Sequence, residues 1–163
     1  MAPPAEAVTV VIPARHASSR YPGKPLVPLK GATGISKSLI HRAWEAACAV
    51  SGVDRVIVAT DDGRIADAAA RFGAEVAMTA PERRNGTERC AEVAEALGLA
   101  GIVVNLQGDA PLTPPWFVEE LVAAMRADPD CTVSTPVLRC DAEALANFRA
   151  DRAAGRVGGT LAV

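Results

Sequence analysis

Cationic and hydroxyl side chains cluster directly after the first β-branched run of the sequence. Arg15, Arg20 and Lys24 fall within ten residues, and Ser18 lies among them. Arginine forks and a lysine point charge bind phosphate oxygens, and Gly23 allows the backbone to approach a ligand closely. These residue types predict a site for a polyanion such as a triphosphate. A solvated basic loop remains the alternative on composition alone.

One acidic residue follows a later apolar run. The run is Ile102–Leu106 (IVVNL), and Gln107, Gly108 and Asp109 come directly after it. A carboxylate at this position suits a phosphate-bound Mg²⁺, which prefers oxygen ligands and keeps several waters. Asp109 could equally cap the turn before a following helix that starts at prolines. Position alone leaves both interpretations open.

A third polar segment, 83–89, precedes and opens a predicted helix. Thr87 and Glu88 lie in its first turn, where backbone amides attract anions. Taken alone, a capped and solvated helix start explains these residues better than a ligand site does. Asp61 and Asp62, which follow a second β-branched run, are likewise expected to be helix caps.

Several common chemistries are disfavoured by missing motifs. The sequence contains neither GxxxxGK[ST] nor a GxGxxG after the first run, which argues against a P-loop nucleoside triphosphatase and a dinucleotide-binding Rossmann domain. The four cysteines form no CxxC pair and have no histidine at metal-ligand spacing, so free thiols are expected. No Ser/His/Asp or Cys/His constellation can be assembled.

Short β-branched runs alternate with helical stretches along the chain. The predicted strands are Val8–Pro13, Arg55–Thr60, Glu75–Thr79, Ile102–Leu106 and Cys131–Val137, with another beginning over Arg156–Val163. The predicted helices are Lys37–Val50 capped by Ser36, Arg64–Phe72, Thr87–Leu97, Trp116–Ala127 and a short helix from Asp141 to Phe148, and His41 is expected on a helix surface. This alternation indicates an α/β fold with a mostly parallel sheet. The segments that follow its strands are therefore the places to expect a ligand.

Composition indicates one folded domain over residues 1–163. Half of the residues are apolar and the net charge is −2, which excludes global disorder and gives no reason to expect a nucleic-acid or membrane partner. No uncharged apolar run approaches the roughly 20 residues of a membrane span. The apolar start has no preceding basic head, so a secretory signal is not expected and a cytoplasmic location is.

The first predicted strand and the basic segment after it read VVIPARHASSRYPGKPL, which resembles the opening signature of the 3-deoxy-manno-octulosonate (Kdo) cytidylyltransferase, or CMP-Kdo synthetase, family. RVIVATD, NGTERCAE and VVNLQGDAP match later motifs in the same order. The combination is far more specific than any single motif.

The resemblance implies a three-layer α/β/α nucleotide-diphospho-sugar transferase fold, which is Rossmann-like. It implies the reaction of CTP with Kdo to give CMP-Kdo and pyrophosphate, with Mg²⁺ as cofactor. The product would feed lipopolysaccharide biosynthesis in the cytoplasm. CTP and a sugar acid would be the partners, and the full-length form would be a homodimer.

The resemblance also assigns roles to residues by matching position. Arg15, Arg20 and Lys24 would hold the CTP phosphates, Asp109 would bind Mg²⁺, and Arg15, Lys24 and Asp109 would be the catalytic group. The remaining nucleotide-binding positions would be Ala14, Ser18, Gly86, Thr87, Arg89 and Gln107.

The sequence departs from the family pattern in two ways. Ala110 stands where the family usually has glutamate, which removes one polar contact. The family chain also continues beyond the position of Val163, so the C-terminal part of the fold, including most sugar-binding residues, is expected to be missing. A nucleotidyltransferase for another sugar acid, such as an amino-Kdo, and an inactive nucleotide-binding remnant therefore stay open as alternatives.

Overall fold

The computed structural model describes residues 6–17, 21–137 and 139–155. Its strands are β1 (Val8–Ala14), β2 (Pro28–Lys30), β3 (Ser36–Ser38), β4 (Arg55–Thr60), β5 (Glu75–Met78) and β6 (Ile102–Asn105). Its helices are α1 (Leu39–Cys48), α2 (Gly63–Arg71), α3 (Gly86–Ala96), α4 (Pro115–Ala127) and α5 (Ala142–Ala153), with a 3₁₀ turn at Lys24–Leu26. The predicted α/β class with a parallel central sheet is confirmed.

Helices cover both faces of a four-stranded parallel sheet with the order β5-β4-β1-β6. Successive side chains of a strand point to opposite faces, and β1 is buried along its whole length. One face of β1 contributes Val8, Val10 and Ile12 to apolar clusters with α1, α2 and α4. The other face contributes Val11, which clusters with Cys90 and Val93 of α3. The core therefore has the predicted three layers.

The strand order reverses beside β1. The chain passes from β1 to β4 and β5 on one side, and then returns to β6 on the other side of β1. The first two crossovers place α1 and α2 on one face, whereas the third places α3 on the opposite face. A crevice therefore opens at the carboxyl ends of β1 and β6, where open α/β sheets bind ligands.

The start of the first helix differs from the prediction. Ser38, not Ser36, is the N-cap of α1, and its hydroxyl accepts from the backbone N–H of His41 at 3.4 Å. Residues 36–38 instead pair with β2 in an antiparallel hairpin. The hairpin turns at Gly34, whose φ of +78° is in the left-handed region that glycine tolerates. The connection after β1 is thus partly ordered as a hairpin rather than a continuous loop.

The predicted strand over Cys131–Val137 is wrong. This segment has no regular secondary structure, and its two valines, Val133 and Val137, are largely exposed. Although β-branched residues favour strands, a strand also needs a neighbour for its backbone hydrogen bonds. No described strand pairs with it. The predicted strand over Arg156–Val163 lies outside the described residues.

Other boundaries move by a few residues. Asp62 caps α2. Helix α3 begins at Gly86, one residue before the predicted start, with Asn85 as its N-cap, and α5 extends beyond Phe148 to Ala153. Strand β6 is an edge strand of the described sheet and is only partly buried. His41 is half-buried rather than on the surface, because its ring stacks on Phe72 with centroids 4.2 Å apart.

Candidate active site

A cleft of about 510 Å³ opens at the carboxyl ends of β1 and β6, where the strand order reverses. Its walls come from the segment after β1, the segment before α3 and the loop after β6. The lining residues are Pro13, Ala14, Arg15, Tyr21, Lys24, Pro25, Leu39, Arg83, Arg84, Asn85, Gly86, Arg89, Gln107, Gly108 and Asp109. Five of them carry a positive charge and one carries a negative charge, so the cleft suits an anionic ligand.

Lys24 and Asp109 meet across this cleft. The Lys24 Nζ atom donates to Oδ2 of Asp109 at 2.7 Å, although the two residues are 85 positions apart in the chain. Both side chains are about half-exposed, at 46% and 54%. The sequence predicts that the basic segment and the lone acid converge, and the structure brings them into direct contact.

The backbone turn before Lys24 depends on a glycine. Gly23 has a φ of +71°, and its N–H donates to the His16 carbonyl at 2.9 Å. A Cβ at this position would also lie 3.0 Å from the His16 ring. The turn leads into the 3₁₀ turn that begins at Lys24 and directs this residue toward the cleft.

Two further glycines allow three chain segments to meet at the cleft floor. A Cβ on Gly86 would lie 2.9 Å from Cγ of Pro13 and 3.0 Å from Nε2 of Gln107. A Cβ on Gly108 would lie 2.9 Å from the carbonyl oxygen of Pro13. The N-terminus of α3 and the loop after β6 can therefore approach β1 only because both positions lack a side chain.

Reciprocal hydrogen bonds organise the N-terminus of α3. The Asn85 side chain accepts from the backbone N–H of Glu88 at 2.9 Å, and the Glu88 carboxylate accepts from the backbone N–H of Arg84 at 2.9 Å. The Arg84 carbonyl in turn accepts from Nη1 of Arg15 at 3.4 Å. This arrangement links the basic segment after β1 to the helix start and resembles a capping box.

Arg89 is a buried residue that lines the cleft. Only 2% of the residue is exposed, and its guanidinium donates to Thr79 Oγ1 and, at 3.2 Å, to Asp61 Oδ2. The expected solvated helix start is therefore wrong for this residue. The expected cap role of Asp61 is also wrong, because Asp62 caps α2 and Asp61 pairs with Arg89.

The cysteines do not supply a nucleophile at this site. Cys48, Cys90 and Cys131 are free thiols, as predicted. Burial of Cys90 between α3 and the strands β1 and β4 raises the pKa of its thiol to about 12, so it stays protonated at neutral pH. By contrast, the Arg64 guanidinium lowers the pKa of Asp62 to about 2, which keeps this cap charged.

A Mg²⁺ ion would find one carboxylate in the cleft. Residues 6–17, 21–137 and 139–155 contain no group of three or more His, Cys, Asp or Glu side chains that could hold a metal. Asp109 nevertheless presents a half-exposed carboxylate to the cleft. Mg²⁺ is commonly bound by one or two carboxylates together with substrate phosphates and water, so this donor fits a metal that arrives with a nucleotide.

The structure groups most of the predicted site residues. Those that line the cleft are Ala14, Arg15, Lys24, Gly86, Arg89, Gln107 and Asp109. Thr87 is not among the lining residues; its hydroxyl accepts from Asn105 Nδ2 at 3.4 Å. Ser18 and Arg20 lie outside the described residues. Their roles as ligand contacts stay predictions.

Sequence reasoning missed several residues of the wall. Arg83, Arg84 and Asn85 line the cleft, although the sequence alone favours a capped and solvated helix start for the segment that contains them. Their position directly before Gly86, a predicted nucleotide-binding residue, is the signal that could have identified them as part of the wall. Tyr21 also lines the cleft, and its position between Arg20 and Lys24 in the basic segment was the available signal. Leu39 lines the cleft as well, but nothing in its sequence context distinguishes it from an ordinary apolar position.

A parallel sheet with a cationic cleft at its strand-order reversal defines a nucleotide-binding α/β protein of the Rossmann-like class. Within the described residues, no helix is both long and apolar enough to cross a membrane. Residues 9–153 match the family described as cytidylyltransferase. The chain belongs to this cytidylyltransferase family.

Named relatives and a solved structure agree with this membership. The chain is 48% identical over 157 residues to 3-deoxy-manno-octulosonate cytidylyltransferase of Maricaulis maris, covering 96% of this chain and 59% of that protein. It is 48% identical over 131 residues to the enzyme of the same name from Pseudomonas syringae pv. syringae, covering 79% of this chain and 49% of that protein. A solved structure of CMP:2-keto-3-deoxy-manno-octonic acid synthetase complexed with CTP superposes with a TM-score of 0.70 at 44% identity, covering 76% of this chain and 49% of that one.

The chain thus spans about half the length of the curated relatives it matches. A nucleotidyl transferase from Methanothermobacter thermautotroptrophicus, at 22% identity and a TM-score of 0.55, shares the fold. The predicted fold class therefore agrees with solved nucleotidyltransferases as well as with the layers described above.

Proposed function

We propose that this chain supplies the CTP-binding residues of a 3-deoxy-manno-octulosonate cytidylyltransferase, which transfers CMP from CTP to Kdo and releases pyrophosphate. The observation that supports this most directly is the contact of Lys24 with Asp109 across a cationic cleft. Identity to proteins of that name supports the choice of nucleotide and sugar acid. The lipopolysaccharide pathway, the cytoplasmic location and a homodimeric full-length form follow from the family resemblance and stay predictions.

The reaction forms one bond and breaks one bond at the α-phosphorus of CTP. The anomeric hydroxyl oxygen of Kdo attacks this phosphorus and releases its proton to solvent, and the bond to the bridging α,β-oxygen breaks. The electron pair of that bond leaves with pyrophosphate. In such transfers the protein contributes chiefly by positioning the reactants and neutralising charge.

The side chains of the cleft match these tasks. Lys24 and Arg15 line one wall and would neutralise charge on the triphosphate as pyrophosphate departs. Asp109 would hold Mg²⁺, which supplies charge neutralisation at the phosphate oxygens when it is bound. Gln107 lies next to this acid in the same wall, where its amide can hydrogen-bond the nucleotide.

The test is a steady-state pyrophosphate-release assay with CTP and Kdo, in the protein that contains this chain. We expect Lys24→Ala and Asp109→Ala each to lower kcat at least about 10²-fold, the effect of one lost electrostatic stabiliser. Lys30→Ala in β2 and Asp67→Ala in α2 are matched controls, because neither residue lines the cleft. A kcat near that of the wild type for either cleft variant would refute the assigned role.

A second candidate function is nucleotide binding without transfer to a sugar. The five cationic side chains that line the cleft account for a phosphate-binding site by themselves, and this observation supports nucleotide binding whether or not a sugar is transferred. Calorimetric titration of CTP in Mg²⁺ buffer tests binding, and the pyrophosphate-release assay tests turnover. Binding without turnover in the presence of Kdo would favour this second function, whereas turnover with an amino-Kdo alone would identify a different sugar acid.

A further inference from the structure

A buried ion pair lies behind the cleft and has no role in the chemistry proposed above. Arg89 is 2% exposed, and its Nη2 atom lies 3.2 Å from Oδ2 of Asp61, which is itself largely buried. Nη1 of the same guanidinium donates to the hydroxyl of Thr79. A buried charge without a partner is strongly unfavourable, so these two acceptors are needed to keep Arg89 in place.

The three residues come from three different elements at the same edge of the sheet. Asp61 directly follows β4, Thr79 directly follows β5, and Arg89 lies in the second turn of α3. The backbone N–H of Thr79 also donates to the Thr60 carbonyl at 2.9 Å, which fixes the two strand ends together. The network therefore attaches α3 to the carboxyl edge of the sheet.

Arg89 is also part of the cleft wall, whereas Asp61 and Thr79 are not. A guanidinium has five N–H donors in a rigid planar fork, and the two hydrogen bonds to Asp61 and Thr79 use two of them. Because these bonds engage both terminal nitrogens, Nη1 and Nη2, they fix the plane of the guanidinium and the directions of its remaining N–H donors. The orientation of Arg89 toward the cleft is thus set from behind, by residues that do not touch the cleft.

We propose that Asp61, assisted by Thr79, is a positioning residue for nucleotide binding: it orients the Arg89 guanidinium and thereby the N-terminal part of α3 against the bound nucleotide. The proposal rests on the proposed function, because it takes the ligand to be CTP. Asp61 acts through Arg89 and does not itself contact the ligand.

The test measures the Kd of CTP by calorimetry in Mg²⁺ buffer, well below the melting temperature of each variant. We expect Asp61→Asn and Thr79→Val each to raise the Kd at least about fivefold, the size of one net hydrogen-bond contribution. Asp62→Asn is the matched control. This neighbouring acid pairs with Arg64 at the start of α2 and does not line the cleft, so the Kd should stay unchanged.

A double-variant cycle separates positioning from a merely structural role. In an Arg89→Gln background, we expect Asp61→Asn to change the Kd by less than about twofold, because the residue through which it acts is gone. If Asp61→Asn alone does not fold, the same cycle is run with Thr79→Val, which removes one acceptor and leaves the Arg89–Asp61 ion pair in place. Equal effects of Asp61→Asn in both backgrounds would overturn the proposal.

The outcomes for the two proposals are distinguishable. If the wild type does not bind CTP, the proposed function fails and this inference fails with it. If the wild type binds CTP and both Asp61→Asn and Thr79→Val bind equally tightly, only the positioning role is refuted. A larger Kd in these two variants, with the Asp62→Asn control unchanged, supports it.

Discussion

Replacing Asp109 with asparagine removes the negative charge that faces Lys24 and keeps the shape of the side chain. The ion pair between them is 2.7 Å long, and both side chains are about half-exposed. An exposed pair of this kind contributes about 0.2–1 kcal/mol. The phosphates of CTP have to replace Asp109 as the partner of Lys24, so this contribution opposes binding when no metal is present.

We therefore expect Asp109→Asn to bind CTP about 1.5- to 5-fold more tightly than the wild type in EDTA, the factor that corresponds to about 0.2–1 kcal/mol. Removing one negative charge beside a triphosphate acts in the same direction. In Mg²⁺ the wild type should instead bind CTP more tightly than the variant, because the variant lacks the carboxylate that would bind the metal. The wild type should gain affinity on addition of Mg²⁺, and the variant should gain little.

The assay is calorimetric titration of CTP in EDTA and in Mg²⁺ at one fixed ionic strength, since exposed ion pairs are screened by salt. Asp67→Asn, an exposed acid on α2 outside the cleft, controls for the change in net charge. Weaker binding of Asp109→Asn in EDTA would show that the ion pair does not compete with the phosphates. An unchanged gain from Mg²⁺ would show that Asp109 does not hold the metal.

Two further predictions concern stability. Gly101 has a φ of +87°, and a Cβ there would lie 2.3 Å from the Ala7 carbonyl oxygen. Gly101→Ala should therefore lower the free energy of unfolding, measured in urea, by more than about 1–3 kcal/mol. The control is Gly63→Ala, in open space at the start of α2, which should change the same free energy by less than about 1 kcal/mol. Burial beside Phe72 lowers the pKa of His41 from its ordinary value of 6.5, so the unfolded chain binds more protons and stability should fall as the pH drops below about 6.5. His41→Phe should flatten this dependence between pH 7.5 and 5.5, and an unchanged slope would contradict the argument.

Local patterns predicted most of the regular elements. The apolar runs of β1, β4 and β6 and the periodic apolar faces of the helices are properties of neighbouring residues, so they can be recognised without the fold. The hairpin of β2 and β3 escaped recognition because its strands are three residues long and mostly polar. The predicted strand over Cys131–Val137 was wrong for the opposite reason, because its composition suits a strand but no strand of the described sheet pairs with it.

The features of the candidate site were likewise only partly predictable from the sequence. The rule that strand ends meet at one edge of a parallel sheet was enough to predict that Lys24 and Asp109 converge, despite 85 intervening positions. It was not enough to predict that they pair with each other. The burial of Arg89 against Asp61 could not be predicted either, because it depends on how α3 packs against the ends of β4 and β5.

By itself, the sequence determined the alternation of strands and helices, the order of its chemical motifs and the family to which they point. These depend on residue type and short spacing, which act through local backbone preference and side-chain periodicity. Only the tertiary structure decided which charges neutralise one another, which glycines allow segments to touch and which strands find a neighbour. Those outcomes depend on distances between segments far apart in the chain, and folding alone brings such segments together.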